Sequence, residues 1–164
     1  MATYKLLIEE DELNKSDLQV IAIHTSLEDY RLAFFLNRAL KINLCRNKID
    51  VKLEQKKDTF FFTNFIFEDQ ESDVCWNLIQ NEIEIEHKQN DQSQDLFAKS
   101  DTEFLTKVFF IPELKKVNFF MKLEGANELY EIKDLIAKIN SIDRISTVYE
   151  IELDNLKSKN NLIF

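Results

Sequence analysis

Residues 108–125, VFFIPELKKVNFFMKLEG, contain the only proline of the chain, Pro112, and its only glycine, Gly125. Two short runs rich in Phe and Val flank the segment PELKK, and they predict strands over 108–111 and 117–123. Proline cannot donate a hydrogen bond to a strand ladder, so Pro112 indicates a strand end or a sheet edge. Glycine adopts positive φ without strain, so Gly125 is predicted to close the second strand.

Part of this stretch, IPELKKVNF at 111–119, resembles the motif of the uncharacterised bacterial IPExxxVDY family. Four residues match that motif: Ile111, Pro112, Glu113 and Val117. The chain departs from it at Asn118, where the motif has Asp, and at Phe119, where it has Tyr. The resemblance extends to residues 22–33 and 156–164, and it implies no established activity, cofactor or catalytic residue.

The two departures favour a structural role for the motif. An Asp carboxylate and a Tyr hydroxyl can act in acid/base chemistry, whereas the Asn118 amide and the Phe119 ring cannot. Pro112 and Glu113 are therefore interpreted as parts of a structural corner. In a functional interpretation, Glu113 would be an acid or a partner of a nearby Lys or Arg, and the sheet edge beside Pro112 would be a contact site.

Composition and charge limit the class of protein. A length of 164 residues predicts a single domain, and 14 Phe residues suit a sizeable core. The net charge of −9 disfavours nucleic acid and an acidic membrane surface as partners. No signal peptide or membrane-spanning stretch is visible, and Cys45 and Cys75 are solitary. A cytoplasmic location with two free, buried thiols is expected.

The order of elements predicts an α+β fold. Helices are predicted over 27–41 and 127–139, and strands over 4–8, 18–24, 42–46, 49–53, 59–67, 74–79, 82–86 and 144–153. A strand–helix–strand unit at each end, with a strand meander between, predicts a split βαβ arrangement of the ferredoxin-like kind. Both helices should cover one face of a mostly antiparallel sheet. Residues 87–103 are polar and predict a mobile loop.

The start of the first helix gathers polar side chains. Ser26 is predicted to cap the helix, with Asp29 three residues on in the capping-box position. His24 and Arg31 flank them, so a functional interpretation is a small anion site with an acid/base histidine and an anchoring arginine. The competing interpretation, which we favour, is a capped helix beside a hydrogen-bonded histidine. The helix itself is apolar over a wide face, so part of its surface is expected to be available to a partner.

The chain ends on three large apolar residues, Leu162, Ile163 and Phe164. Solvated tails seldom end this way, so the three residues are expected either to dock in their own domain or to insert into a second subunit or another protein. The spacing of His and Cys predicts no metal site, and no phosphate-binding or nucleotide-binding motif is present. No cofactor is expected.

These features favour a non-catalytic, cytoplasmic protein-interaction module, with another protein or a second copy of the chain as partner. The alternative is a small-molecule or anion-binding domain, with or without enzymatic activity, centred on His24, Ser26, Asp29 and Arg31. The discriminating observation is a cavity in which the imidazole of His24 and the guanidinium of Arg31 converge.

Overall fold

The computed structural model describes residues 18–87, 104–126 and 130–164. The predicted strand over 4–8 lies outside the described residues, as does all of the predicted mobile loop 87–103 except its first residue.

The described chain contains ten strands, two α-helices and three short 3₁₀ helices. The strands are β1 (Leu18–Thr25), β2 (Cys45–Arg46), β3 (Val51–Gln55), β4 (Asp58–Phe62), β5 (Asn64–Asp69), β6 (Val74–Gln80), β7 (Glu82–His87), β8 (Phe104–Phe109), β9 (Phe119–Glu124) and β10 (Ile145–Glu150). The helices are α1 (Asp29–Leu40), α2 (Ile132–Asn140) and the 3₁₀ helices Pro112–Leu114, Leu153–Asn155 and Lys159–Leu162. None of the helices within the described ranges is long and apolar enough to cross a membrane.

Six strands form one antiparallel sheet in the order β10-β1-β9-β6-β5-β2. The connection from β9 through α2 to β10 spans one inserted strand, β1, whereas the connection from β1 through α1 leads to β2, with β9, β6 and β5 between them. This order confirms the predicted split βαβ arrangement. The meander is more complex than predicted, because β3–β4 and β7–β8 leave the main sheet as separate two-stranded ribbons.

Both α-helices cover the same face of the sheet, as predicted. Leu36 of α1 and Ile139 of α2 are fully buried there, against Ile21 and Ile23 of β1 and Trp76 of β6. Helical spacing places the apolar side chains of each helix on one side, where they remove a continuous surface from water. We call this side of the sheet the helical face.

The opposite face is covered by the β3–β4 ribbon, the segment around Pro112 and the C-terminal 3₁₀ helix. Its core includes Val20 and Ala22 of β1, together with Phe62 and Phe110. Successive side chains of a strand point to opposite faces, so a central strand covered on both sides must be apolar on both. β1 is such a strand, with Ile21 and Ile23 on the helical face and Val20 and Ala22 on the opposite face.

A charged residue is buried in the opposite face. Lys122 of β9 has no exposed surface, and its cross-strand neighbour in β6 is the buried Asn77. The Lys122 Nζ lies 2.8 Å from Oε1 of Glu124 and 3.7 Å from the centroid of the Phe164 ring. An ion pair and an aromatic face both offset the cost of taking an ammonium group out of water.

The first helix is shorter at both ends than predicted. α1 begins at Asp29, whose carboxylate suits the positive end of the helix dipole. It ends at Leu40 because Lys41 adopts the left-handed conformation, with φ of 56°. The prediction of helix from residue 27 is wrong by two residues at the start, where the chain makes a turn.

The strand predicted as continuous over 59–67 is broken, whereas the separate strands predicted over 74–79 and 82–86 are observed. Thr63 separates β4 from β5, and Asn81 separates β6 from β7, and in both cases the two strands pair in different sheets. The predicted strand pair over 42–53 likewise divides into β2 and β3. The strands predicted on either side of PELKK do not pair with each other, because β8 pairs with β7 whereas β9 pairs with β1 and β6.

Gly125 closes β9 as predicted, and its φ is +78°. A Cβ at this position would lie 2.9 Å from the backbone oxygen of Asp73. Both the backbone conformation and the close approach of the β5–β6 turn therefore require glycine here.

Candidate functional site

An open groove of about 950 Å³ lies at the start of α1 on the helical face. One wall is the turn between β1 and α1 together with the first residues of the helix, and the floor includes the first residues of β7. The lining residues are Thr25, Ser26, Leu27, Glu28, Asp29, Tyr30, Gln80, Glu82, Ile83, Glu84, Asn118 and Phe119.

The turn that forms the wall is organised by Thr25. Its hydroxyl accepts a hydrogen bond from the Leu27 N–H (3.0 Å) and donates one to the Arg144 carbonyl (2.9 Å). Its backbone N–H donates to Oδ1 of Asn118 (2.9 Å). Ser26, predicted as the cap, is exposed and makes no capping bond, because the residue that precedes α1 is Glu28. The predicted capping box is therefore wrong.

Carboxylates dominate the charge of the groove. Glu28 and Asp29 stand on the wall, and Glu82 and Glu84 stand on the floor. The ammonium of Lys107, on β8, lies 2.6 Å from Glu82 and 3.8 Å from Glu84. The hydrogen bond to Glu82 raises the pKa of Lys107 above its ordinary value. Four carboxylates beside one ammonium group give this groove a negative field, which disfavours an anionic ligand.

Two of the four residues predicted to form a site at the helix start line the groove, and two do not. Ser26 and Asp29 lie on the wall. His24 alternates with Ile23 along β1 and therefore points to the opposite face of the sheet, where its Nε2 lies 3.4 Å from the Tyr149 hydroxyl. Arg31 lies on the exposed surface of α1. The imidazole and the guanidinium are thus on opposite sides of the sheet and do not converge.

A row of exposed side chains runs along α1 from the edge of the groove. Tyr30 is 58% exposed and Phe34 is 55% exposed, and Arg38 continues the row at the same four-residue spacing. The Arg38 guanidinium carbon lies 5.8 Å from the centroid of the Phe34 ring. We call Tyr30, Phe34 and Arg38 the α1 stripe. Tyr30 belongs to both features, and a hydrogen bond to Glu28 raises its pKa.

The family-like motif forms a corner held by Asn81. Pro112 occupies the first position of a 3₁₀ helix, where a missing N–H costs nothing. The Asn81 side chain is fully buried behind this helix. Its Nδ2 donates to the Leu114 and Val117 carbonyls, and its Oδ1 accepts from the Ile111 N–H, each at 2.9 Å. One side chain thus satisfies three backbone groups of the corner.

Backbone bonds complete the connection between Asn81 and the corner. The Asn81 N–H donates to the Asn118 carbonyl (2.9 Å), and the Asn81 carbonyl accepts from the Phe110 N–H (2.7 Å). All the hydrogen-bonding groups of this buried residue are therefore occupied at once.

Glu113 joins the corner to the C-terminal segment. Its carboxylate accepts hydrogen bonds from the backbone N–H of Ser158 (2.7 Å) and from the Ser158 hydroxyl. Partial burial alone would raise the pKa of Glu113, but the hydrogen bonds from Ser158 and from backbone N–H groups outweigh it and lower that pKa. Asn161 adds a second connection, since its Nδ2 donates to the Phe110 carbonyl (2.7 Å).

The apolar end of the chain docks on its own domain. Leu162 is fully buried in the core of the opposite face. Phe164 is 50% exposed and covers the Lys122 ammonium with one face, while its ring packs edge-on against Phe110. Ile163 points outward and is 65% exposed. Of the three residues, only Ile163 leaves most of its side chain to solvent.

Other reactive groups are scattered. Within the described ranges, no three His, Cys, Asp or Glu side chains are placed to hold a metal ion. Both cysteines are free, but Cys45 is exposed, so the prediction that it is buried is wrong. Cys75 is partly buried, and burial raises the pKa of its thiol.

Comparison with known proteins gives no match: no family model, curated protein or solved structure matches the chain.

Sequence reasoning missed Asn81, Lys122 and the orientation of the α1 stripe. Asn81 lies between the predicted strands 74–79 and 82–86, and this break was the only sequence feature that could have pointed to it. Lys122 is a single charge within the apolar run of 117–123. The wide apolar face of α1 predicted that part of the helix would be available to a partner, but it did not single out Tyr30 and Phe34, which have the same apolar character as the buried residues of the helix.

Proposed function

We propose that the chain is a non-catalytic protein-interaction module of the cytoplasm that binds a partner protein through the α1 stripe. The observation that carries this proposal is the pair of aromatic side chains, Tyr30 and Phe34, each more than half exposed on consecutive turns of one helix. Membership of the IPExxxVDY family is likewise proposed, on the residues of 111–119 that match its motif.

The chemistry of the stripe supports an interface. Tyr and Arg are enriched among the residues that dominate binding energy, and aromatic side chains supply large contact areas at low entropic cost. Burying one such ring contributes about 2 kcal/mol of transfer free energy. Two adjacent rings and a neighbouring guanidinium form a connected patch, whereas isolated apolar residues on a surface are ordinary.

The chemistry of the groove disfavours the anion-binding alternative. Its lining carries Glu28, Asp29, Glu82 and Glu84, and neither His24 nor Arg31 reaches it. A second copy of the chain is the other occupant to be tested, because one helix face can meet itself across a twofold axis.

Site-specific photocrosslinking tests the proposal. A photoreactive amino acid is placed at position 34, on the stripe, and as a matched control at position 138, an exposed position near the end of α2. We expect crosslinked products from cell extract at position 34 that are absent at position 138, and that are lost when Tyr30→Ser is combined with the crosslinker at 34.

Sedimentation of the purified chain distinguishes the two kinds of partner. A dimer that Phe34→Ser converts to a monomer would identify the partner as a second copy. A monomeric chain that yields no crosslink at position 34 above the position 138 background would refute the proposal.

A further inference from the structure

We propose that the partner segment seated on the α1 stripe is a basic stretch of polypeptide. Its lysine or arginine side chains enter the acidic groove, and its apolar side chains cover Tyr30 and Phe34. This inference rests on the proposed function and names the chemistry of the partner.

The α1 stripe and the acidic groove are continuous surfaces. Tyr30 lines the groove and also begins the stripe, so a segment that covers Phe34 and continues past Tyr30 enters the groove. One extended segment therefore meets an aromatic surface and a set of carboxylates in succession.

The negative charge of the groove is complementary to a basic segment. Glu28 and Asp29 line the wall of the groove, and Glu82 and Glu84 line its floor. Lys107 neutralises only part of this charge, because its closest contact is Glu82 and its distance to Glu84 is 3.8 Å. Opposite charges across an interface fix its register and increase the rate of encounter.

The α1 stripe already contains a contact between a guanidinium group and an aromatic ring. The Arg38 guanidinium carbon lies 5.8 Å from the Phe34 ring centroid. Among the described residues, no cation lies over the ring of Tyr30, which is at the end of the stripe beside the carboxylates. Aromatic faces attract cations, so a basic side chain finds both a ring and a carboxylate near Tyr30.

The same charges argue against other occupants. A second copy would bring the same four carboxylates and a net charge of −9. Nucleic acids and acidic lipid surfaces are themselves anionic and would be repelled. A basic polypeptide is the partner class that the charge of this surface favours.

Binding of defined peptides tests the inference. The probe is a fluorescein-labelled peptide of about twelve residues, which extends to roughly 40 Å, with lysine and leucine alternating. Two further peptides replace its lysines by glutamate or its leucines by serine. We expect anisotropy to detect binding of the lysine–leucine peptide, weaker binding of the lysine–serine peptide, and no binding of the glutamate–leucine peptide.

Two double variants separate the groove from the overall charge. Glu28→Gln with Glu84→Gln removes one carboxylate from the wall and one from the floor, and it leaves the Glu82–Lys107 pair intact. Glu71→Gln with Asp143→Asn removes two exposed carboxylates outside the groove and changes the net charge equally. We expect the groove variant to weaken binding of the lysine–leucine peptide about fivefold, as for the loss of two exposed ion pairs, and the control variant to leave it within about twofold. Circular dichroism checks that both variants remain folded.

The outcomes separate this inference from the proposed function. Equal weakening by the two double variants, or absence of binding to the lysine–leucine peptide, would overturn the basic partner while leaving crosslinking at position 34 intact. Absence of crosslinking at position 34, with peptide binding unaffected by Phe34→Ser, would overturn the α1 stripe itself.

Discussion

The corner at 110–118 and the groove at the start of α1 are neighbours that differ in how their polar groups are used. In the corner, Asn81 satisfies three backbone groups and Glu113 accepts two bonds from Ser158. In the groove, Lys107 is the closest counterion of the floor, and the side chain of Ser26 caps nothing. Asn118 belongs to both, since it lines the groove and bonds to Asn81. The polar groups of the distinctive motif at 111–119 are thus largely occupied by hydrogen bonds within the domain. The surface available to a partner lies beside the motif, in the groove and the α1 stripe.

Because the polar groups of the corner are hydrogen-bonded internally, we expect the corner to contribute more to stability than the groove does. Of the changes considered, Asn81→Ala should lower the free energy of unfolding most. The variant leaves the buried Ile111 N–H and the Val117 carbonyl without their partner, removes one of two donors to the Leu114 carbonyl, and opens a cavity, so we expect a loss of about 4 kcal/mol in the free energy of unfolding. Urea denaturation measures it. The exposed Asn43→Ala serves as control and should cost less than about 0.5 kcal/mol. A loss at Asn81 as small as the control would remove the distinction between corner and groove.

Removal of residues 162–164 should have the next largest effect. The deletion removes the buried Leu162 and uncovers the Lys122 ammonium, so we expect a loss of about 3 kcal/mol. The control is Ile163→Ser, which changes only an exposed side chain and should leave the melting temperature nearly unchanged. If the deletion leaves both the melting temperature and the oligomer size unchanged, the docking of this segment on its own domain is refuted.

Glu113→Gln should have a smaller effect that depends on pH. The folded-state pKa of Glu113 is lowered, so its charge contributes stability above the ordinary value of 4.5, and this contribution is lost as pH falls through the folded pKa. Because the group is largely exposed, we expect a cost of only about 0.5 kcal/mol at pH 7. Melting curves of both proteins from pH 7 to pH 3 should converge at the acid end. A difference that is constant with pH would exclude the carboxylate charge as its cause.

The smallest effect on stability is expected in the α1 stripe. Tyr30→Ser with Phe34→Ser should change the free energy of unfolding by less than about 0.5 kcal/mol, because both side chains already face solvent. Leu36→Ala on the buried side of the same helix should cost about 3 kcal/mol. Denaturation of the two variants under the same conditions measures the contrast, and a large loss in the stripe variant would identify Tyr30 and Phe34 as structural residues.

The fold was predictable from sequence where periodicity carried the information. The apolar run 18–24, the helical spacing in the two helices and the order of the elements were sufficient for the split βαβ arrangement with both helices on one face. The break at Thr63 was not predictable, because Thr63 interrupts a run that is strongly apolar on both sides. The break arises because β4 pairs with β3 in one sheet and β5 pairs with β6 in another, which strand propensity does not determine.

The candidate site was less predictable, for physical reasons that specific residues illustrate. Ser26 has the residue type of a helix cap, but the hydroxyl of Thr25, one position earlier, organises the turn. His24 and Arg31 are close in sequence, and the pleat of β1 sends the histidine to the other face. Exposure of Tyr30 and Phe34 depends on how α1 rests on the sheet, and composition alone does not determine it.

The position of β1 has a consequence for the time course of synthesis. Both of its neighbours, β9 and β10, are encoded far downstream. An emerging chain therefore carries a strand that is apolar on both faces long before the ribosome has made either strand that pairs with it. Such a strand is prone to non-native association, so this fold would benefit from chaperone protection until β10 has been translated.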